Sequence, residues 1–365
     1  MKQFILAAAF AGFALFSTIS AQTYHLLVGT YTNTGKSDGI YSYSVDMQKN
    51  IISQSSIAKG VLNPSFLALS PDKKFVYSVN QNDKNSSVSA FGFDKGKLTF
   101  LNKVDANAAG PCYISVTNKH VFTANYNGGS LCVFGRNTDG SLTELLQKIQ
   151  HVGKSTNTER QNEPHVHQVL ISRDMKYLIA NDLGTDKVTV YSYNSDDQTS
   201  ILVPFDTLTV KLGSGPRHAT FSKNGQRLYL VQEIDGTVSV IEMKKGKLKL
   251  VQESSVIRTK GVVARAADIH LSPDEKFLYV SNRGTANDIS SFSVAGNGLL
   301  SFVEQVSTKG DGPRNFAISP DGLFVFIAHQ FTDNISIFKR DITTGKLTDS
   351  GQQIMVGAPV CLLFY

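Results

Sequence analysis

Short apolar runs recur along this chain, broken by polar turns at a regular beat. Phe66-Leu67-Ala68-Leu69 ends in Ser70-Pro71-Asp72-Lys73, and Phe75-Val76-Tyr77-Ser78-Val79-Asn80 follows. The same succession returns as Asn315-Phe316-Ala317-Ile318, then Ser319-Pro320-Asp321-Gly322, then another apolar run. Alternation with period two and β-branched, aromatic composition predict strands. Pro, Asp, Asn and Gly suit the turn positions between them. A third alternating strand comes next, as at Val88-Ser89-Ala90-Phe91 and Ile335-Ser336-Ile337-Phe338. Gly-Lys-Leu often precedes a fourth, at Gly96, Gly246 and Gly345.

The units begin at Pro64, Pro111, Pro164, Pro216, Ala266, Pro313 and Pro359. Their starts lie about 46 to 53 residues apart, the length of a four-stranded propeller blade. Seven starts predict an all-β, seven-bladed β-propeller. The last start is followed only by Val360 to Tyr365, too little for a blade. Tyr24 to Asp46 supplies strands without an innermost partner. The C-terminal strand is therefore expected to join the N-terminal blade and close the ring, with Val360, Leu362 and Phe364, or the alternating set, in the core.

Equivalent positions in a repeat point to equivalent places. Alignment on the turns puts Ser65, Cys112, His167, Arg217, Ala267, Arg314 and Val360 in one register, beside the channel mouth. A second register, at the end of the next strand, holds Gln81, Leu183, Glu233, Arg283 and Gln330, with Tyr126 equivalent. Structural positions keep one residue type from blade to blade; these two vary toward charge, which marks a site. Glu233 or His167 could activate water, and Arg217 and Arg283 could hold an anion or stabilise developing charge. His165 lies two residues from His167 and would share its face on a regular strand, so either could be the functional one. A His-x-His pair also suggests a metal, with Glu163 nearby. No third ligand falls into an obvious pattern, so no metal is expected.

Residues 1–21 read as a cleavable secretory signal: Lys2, then an apolar run from Phe4 to Phe16, then Ile19-Ser20-Ala21 before Gln22. The run is shorter than the roughly 20 residues of a membrane span. Residues 22–365 are expected to form a single domain, exported to the periplasm or secreted, with no membrane span once the signal is cleaved. Cys112, Cys132 and Cys361 match neither a disulfide framework nor a zinc motif. The net charge of +6 is dispersed, without the clusters that nucleic-acid binding requires.

Several segments together resemble the seven-bladed β-propeller lactonase family. They are Glu163-Pro164-His165-Val166-His167, Gly215-Pro216-Arg217-His218, Val231-Gln232-Glu233, Ser281-Asn282-Arg283-Gly284, Gly312-Pro313-Arg314-Asn315 and the opening Leu27-Val28-Gly29-Thr30. The family includes propeller-type 6-phosphogluconolactonases and muconate lactonizing enzymes, and the resemblance spans Tyr24 to Tyr365. It implies catalytic roles for His167, Glu233, Arg217 and Arg283, with no cofactor. His165, His218, Arg314 and Gln330 are the expected substrate-binding residues. The implied substrate is a small anionic sugar lactone, opened by ester hydrolysis. A muconate-type cycloisomerase and a non-enzymatic exported propeller binding a glycan or protein are the alternatives. The blade after Gly261 departs from its siblings, with Ala266-Ala267 in place of Pro and Arg.

Overall fold

The computed structural model describes residues 23–365, and the expected signal segment lies outside them. Seven four-stranded antiparallel sheets form the ring. Blade 2 runs through Phe66–Leu69, Phe75–Asn80, Ser87–Asp94 and Lys97–Asp105, from channel to rim. Blades 3 to 7 repeat this plan, with innermost strands Pro111–Val116, Val166–Ile171, Pro216–Phe221, Ala266–Leu271 and Pro313–Ile318. Blade 1 is made from both ends of the chain: Pro359–Phe364 lies innermost and pairs with Thr23–Thr30. Both alternating sets of this last strand contribute to the core. Val360, Cys361 and Leu362 are buried, while Phe364 is half-buried against the blade 1–blade 7 cluster.

The turn chemistry explains the regular beat. In the turn after the innermost strand, Ser70 Oγ donates to Asp72 (2.5 Å) and accepts the Phe75 N–H (3.0 Å). The Ser172–Asp174, Ser222–Asn224, Ser272–Asp274 and Ser319–Asp321 pairs do the same. One side-chain pair thus satisfies a turn that the sheet ladder leaves open.

The hydrophobic core is divided into seven clusters, one for each blade–blade interface. Polar stitches on the channel wall also join the blades. Gln168 clasps the Ala219 backbone, accepting its N–H at 2.6 Å and donating to its carbonyl at 3.2 Å. His218 Nδ1 meets Asp268 Oδ1 at 2.8 Å, and Asn315 donates to Asp268 Oδ2 at 2.5 Å. Leu362 N–H donates to Asn315 Oδ1 at 2.7 Å, linking the last strand to blade 7.

The innermost strands carry a second shared feature. In blade 3, Pro111 pairs with Asn125 and Tyr113 with Ala124, so Cys112 is an extra residue. His167, Arg217, Arg314 and Val360 are extra in the same way in their blades. A β-bulge turns one side chain away from the regular pleat. Outside blade 2, whose innermost strand begins after Ser65, the first register therefore lies at bulges or irregularities near the channel mouth. In blade 6 the irregularity spans Ala267 and Asp268, and it is Asp268 that reaches into the channel wall. Pro164 is not equivalent to the other unit-opening prolines: Val166 holds that place, and Pro164 ends a loop inserted ahead of the strand.

Candidate active site

The bulges and the ends of the second strands surround a cavity of about 410 Å³ at the channel mouth. The second register sits there because each of its residues anchors its N–H on the adjoining loop. Glu233 N–H donates to Gly215 O (2.7 Å), Arg283 to Arg265 O (3.1 Å) and Gln330 to Gly312 O (3.0 Å). Tyr31 does so to Ala358 O (3.0 Å), which makes it the blade 1 member of this register.

Glu233 is the electrostatic centre. Its Oε1 accepts from Arg160 Nη2 at 2.8 Å, and its Oε2 from Arg217 Nε at 2.8 Å. Arg283 Nη2 stands 2.9 Å from Oε2, but is poorly aligned for a hydrogen bond and keeps an unspent N–H. Burial opposes the charged carboxylate, yet the Arg283, Arg217 and Arg160 guanidiniums outweigh it and hold Glu233 far below the usual carboxylate range. Both of its oxygens are already taken up by guanidinium N–H groups. Its work is to fix three arginines.

His167 lines the cavity and is 4% exposed. Burial, reinforced by Arg217, His218, Arg314 and Arg283, pushes its pKa well below that of an ordinary histidine, so the ring is neutral at pH 7. Its Nδ1 lies 3.8 Å from Cys112 Sγ, while the Cys112 thiol donates to the His167 carbonyl at 3.3 Å. Among the described residues no group hydrogen-bonds its Nε2. Burial raises the Cys112 thiol to about 12, leaving it an inert neighbour.

Arg314 and Arg265 also line the cavity, and among the described residues neither has a carboxylate within salt-bridge distance. Arg314 lies over the Tyr31 ring, 5.6 Å from its centroid. Among the described residues four arginines and one glutamate therefore line the mouth, with Arg217 buried behind the glutamate, and two of the arginines have charge to spend on a ligand.

The structure brings His167, Glu233, Arg283 and Arg314 to the cavity wall, with Arg217 buried behind them on Glu233, but His165, His218 and Gln330 do not line the cavity. His165 and His167 do not share a face, because the bulge at His167 breaks the period of two. The His165 ring instead stacks on Tyr126 at 4.3 Å, with Nδ1 on the Tyr126 carbonyl at 2.9 Å. His218 lies one residue past its bulge, beneath the cavity on Asp268. Gln330 is half-exposed outside the cavity wall. Arg160 and Arg265 are the additions. Arg160 comes from the loop inserted before blade 4, which has no counterpart in the other repeats, so alignment of blades could not find it. That loop is pinned by His151 on Asp182 (2.8 Å) and by Gln161 on Asp186 (2.8 Å). Arg265 did carry a signal: it stands where Gly110, Gly215 and Gly312 stand in other blades.

A larger cleft, about 490 Å³, lies on the outer wall between blades 1 and 2. Its lining offers amides, hydroxyls, lysines and Phe100 but no histidine or carboxylate.

Residues 25–364 match the family model described as Lactonase, 7-bladed beta-propeller. The chain belongs to this lactonase family. It is 34% identical over 349 residues to a 6-phosphogluconolactonase of Formosa agariphila, covering 93% of this chain and 99% of the relative. A solved structure from Bacteroides fragilis superposes with a TM-score of 0.90 at 41% identity, covering 96% of this lactonase and 99% of that chain. The Pseudomonas aeruginosa periplasmic gluconolactonase superposes with a TM-score of 0.86 at 36% identity, covering 94% and 99%.

Proposed function

We propose that this lactonase hydrolyses the ring ester of an anionic sugar lactone at the channel mouth, after export to the periplasm. The observation that carries the reading is one neutral imidazole set among five arginines and a single, fully committed carboxylate. Ester hydrolysis needs a base for water, donors for the oxyanion and, for an anionic substrate, a counter-charge. His167 Nε2 supplies the base. The Arg283 guanidinium lines the cavity and would stabilise the charge that develops there. Arg314 and Arg265 hold the substrate's carboxylate or phosphate. A purely binding propeller has no need of a base at the centre of such a cluster. The relatives named above support the lactone chemistry. The Pseudomonas neighbour and the reading of residues 1–21 support export. Among the described residues no helix is long and apolar enough to cross a membrane.

The test is hydrolysis of 6-phosphogluconolactone and of unphosphorylated gluconolactone by the purified protein, each against its spontaneous background. Replacing His167 with Gln is expected to lower kcat about 10²- to 10⁴-fold with little change in KM. Because His167 titrates well below 6.5, kcat/KM of the wild type should hold steady as pH falls from 7 to 6 and decline only below that. A profile that falls with a midpoint near 6.5 would contradict this role. Arg265→Ala is expected to raise KM for the phosphorylated lactone about tenfold, one exposed charge-assisted contact, and to leave kcat nearly unchanged.

A further inference from the structure

Beneath the mouth lies a group of titratable side chains that the chemistry above does not use. Asp268 is buried on the channel wall, and its two oxygens are shared between two imidazoles. Oδ1 meets His218 Nδ1 at 2.8 Å and Oδ2 meets His270 Nε2 at 2.9 Å. His218 is buried directly below the site, with its ring 5.1 Å from that of His167, edge to face. With Nδ1–H committed to the carboxylate, His218 Nε2 is left as an acceptor, and it has no partner. His270 sits at the other end of the innermost strand of blade 6, next to the turn at Ser272 on the opposite face, and its side chain is 41% exposed. The three side chains thus lead from the underside of the catalytic pocket to solvent on the far side of the ring.

We propose that His218, Asp268 and His270 form a proton conduit, carrying the proton released by ester hydrolysis from His167 to the opposite mouth of the channel. The inference rests on the hydrolase reading. In that reaction water oxygen bonds to the carbonyl carbon and the ring C–O bond breaks. The freed alkoxide takes one water proton. The second is released as the new acid becomes a carboxylate. With the lactone seated, that proton has to leave a pocket ringed by Arg160, Arg265, Arg283 and Arg314 and backed by Arg217, whose joint field opposes the exit of a cation through the mouth. The transfer between the two imidazoles requires His167 to turn about its Cβ–Cγ bond toward His218 Nε2. From there the His218 Nδ1–H passes to Asp268, and the carboxyl group hands a proton on to Nε2 of a neutral His270 ring protonated at Nδ1, which gives up its Nδ1 proton to solvent.

The environment of each group favours this direction. Burial and Arg217 push His218 down to about 4, so it does not retain a proton. At His270 burial opposes the charge, but the Asp268 carboxylate overrides it and raises the pKa, so the outer imidazole takes up a proton more readily than the inner one. Burial works against the Asp268 charge too, and the two imidazoles keep it ionised.

Asp268→Asn is a poor probe, because this carboxylate also accepts from Asn315 and holds blades 5, 6 and 7 together. His270→Gln is the informative variant: its amide can still donate to Asp268 but cannot relay a proton. In weakly buffered solution, with product followed directly, His270→Gln is expected to lower kcat about tenfold at unchanged KM and unchanged thermal midpoint. Added imidazole should restore the rate in the variant and do little for the wild type. Wild-type kcat in the variant at low buffer would overturn the conduit, and so would a loss that imidazole does not restore, which marks a structural role. If the wild type itself fails to hydrolyse any lactone, the hydrolase reading falls and the conduit falls with it.

Discussion

Deletion of residues 359–365 is expected to abolish cooperative folding. The deleted strand is the inner wall of blade 1, paired with Thr23–Thr30 from Leu26–Phe364 to Thr30–Pro359. It buries Val360, Cys361 and Leu362, at about 1.5–3 kcal/mol for each large apolar side chain. It also supplies the Leu362 N–H to Asn315 and the Cys361 thiol to the Leu67 N–H (3.4 Å). These losses together rival the whole net stability of a domain, about 5–15 kcal/mol. The deletion also bares the edge of Thr23–Thr30, a template for intermolecular pairing. Circular-dichroism melts and size-exclusion chromatography should show no cooperative transition and material in the void volume. A truncated chain that melts like the full-length protein would refute the closure as a stabilising element.

The second large effect belongs to Glu233. Replacing it with Ala removes the carboxylate that, among the described residues, alone pairs with Arg160, Arg217 and Arg283. Arg217 is 1% exposed, so its charge would be left buried without a partner. Breaking a buried pair in this way costs about 3–5 kcal/mol. The same change releases Arg283 and Arg160 from their working positions, and turnover should fall at least about 10³-fold, as for loss of preorganised electrostatics. The signature is therefore double: a lowered thermal midpoint and a lost kcat. The pH dependence follows from the depressed pKa. The Glu233 contribution to stability is complete above the unfolded carboxylate value and is lost only as pH falls toward its lower folded value. Between pH 7 and 5 the wild type should hold its stability advantage over Glu233→Ala, as unfolding curves at several pH values would show. An advantage that vanishes by pH 5 would mean the carboxylate is not held by the arginines.

The ring and its closure were legible because the Ser-x-Asp turns and apolar runs are read locally, and the orphan strand at Pro359 had one place to go. The charged registers were legible because six sibling blades supplied the comparison: an Arg at 217 stands out against Ser65 and Ala267. Legibility ended where the chain departs from its own repeat. Period-two reasoning set His165 beside His167, and the bulge turned them apart. The resemblance set His218 among the substrate-binding residues, and the shift of one residue past the bulge placed it underneath. Arg160 was hidden in an insertion without siblings, and its position depends on Asp186 and Glu233, which are remote in sequence. Asp268 was overlooked because the register was read at Ala267, one residue short of the side chain that enters the channel wall.

The bulges also separate two demands on the same strand. Cys112, His167, Arg217, Arg314 and Val360 are the residues the ladder does not count. Their side chains can change in size and charge while every cross-strand partner keeps its place. A thiol, an imidazole, two guanidiniums and an isopropyl group already occupy this one position around the channel. The scaffold thus works as a frame that holds chemically unlike side chains at this one position from blade to blade while the sheets stay in register.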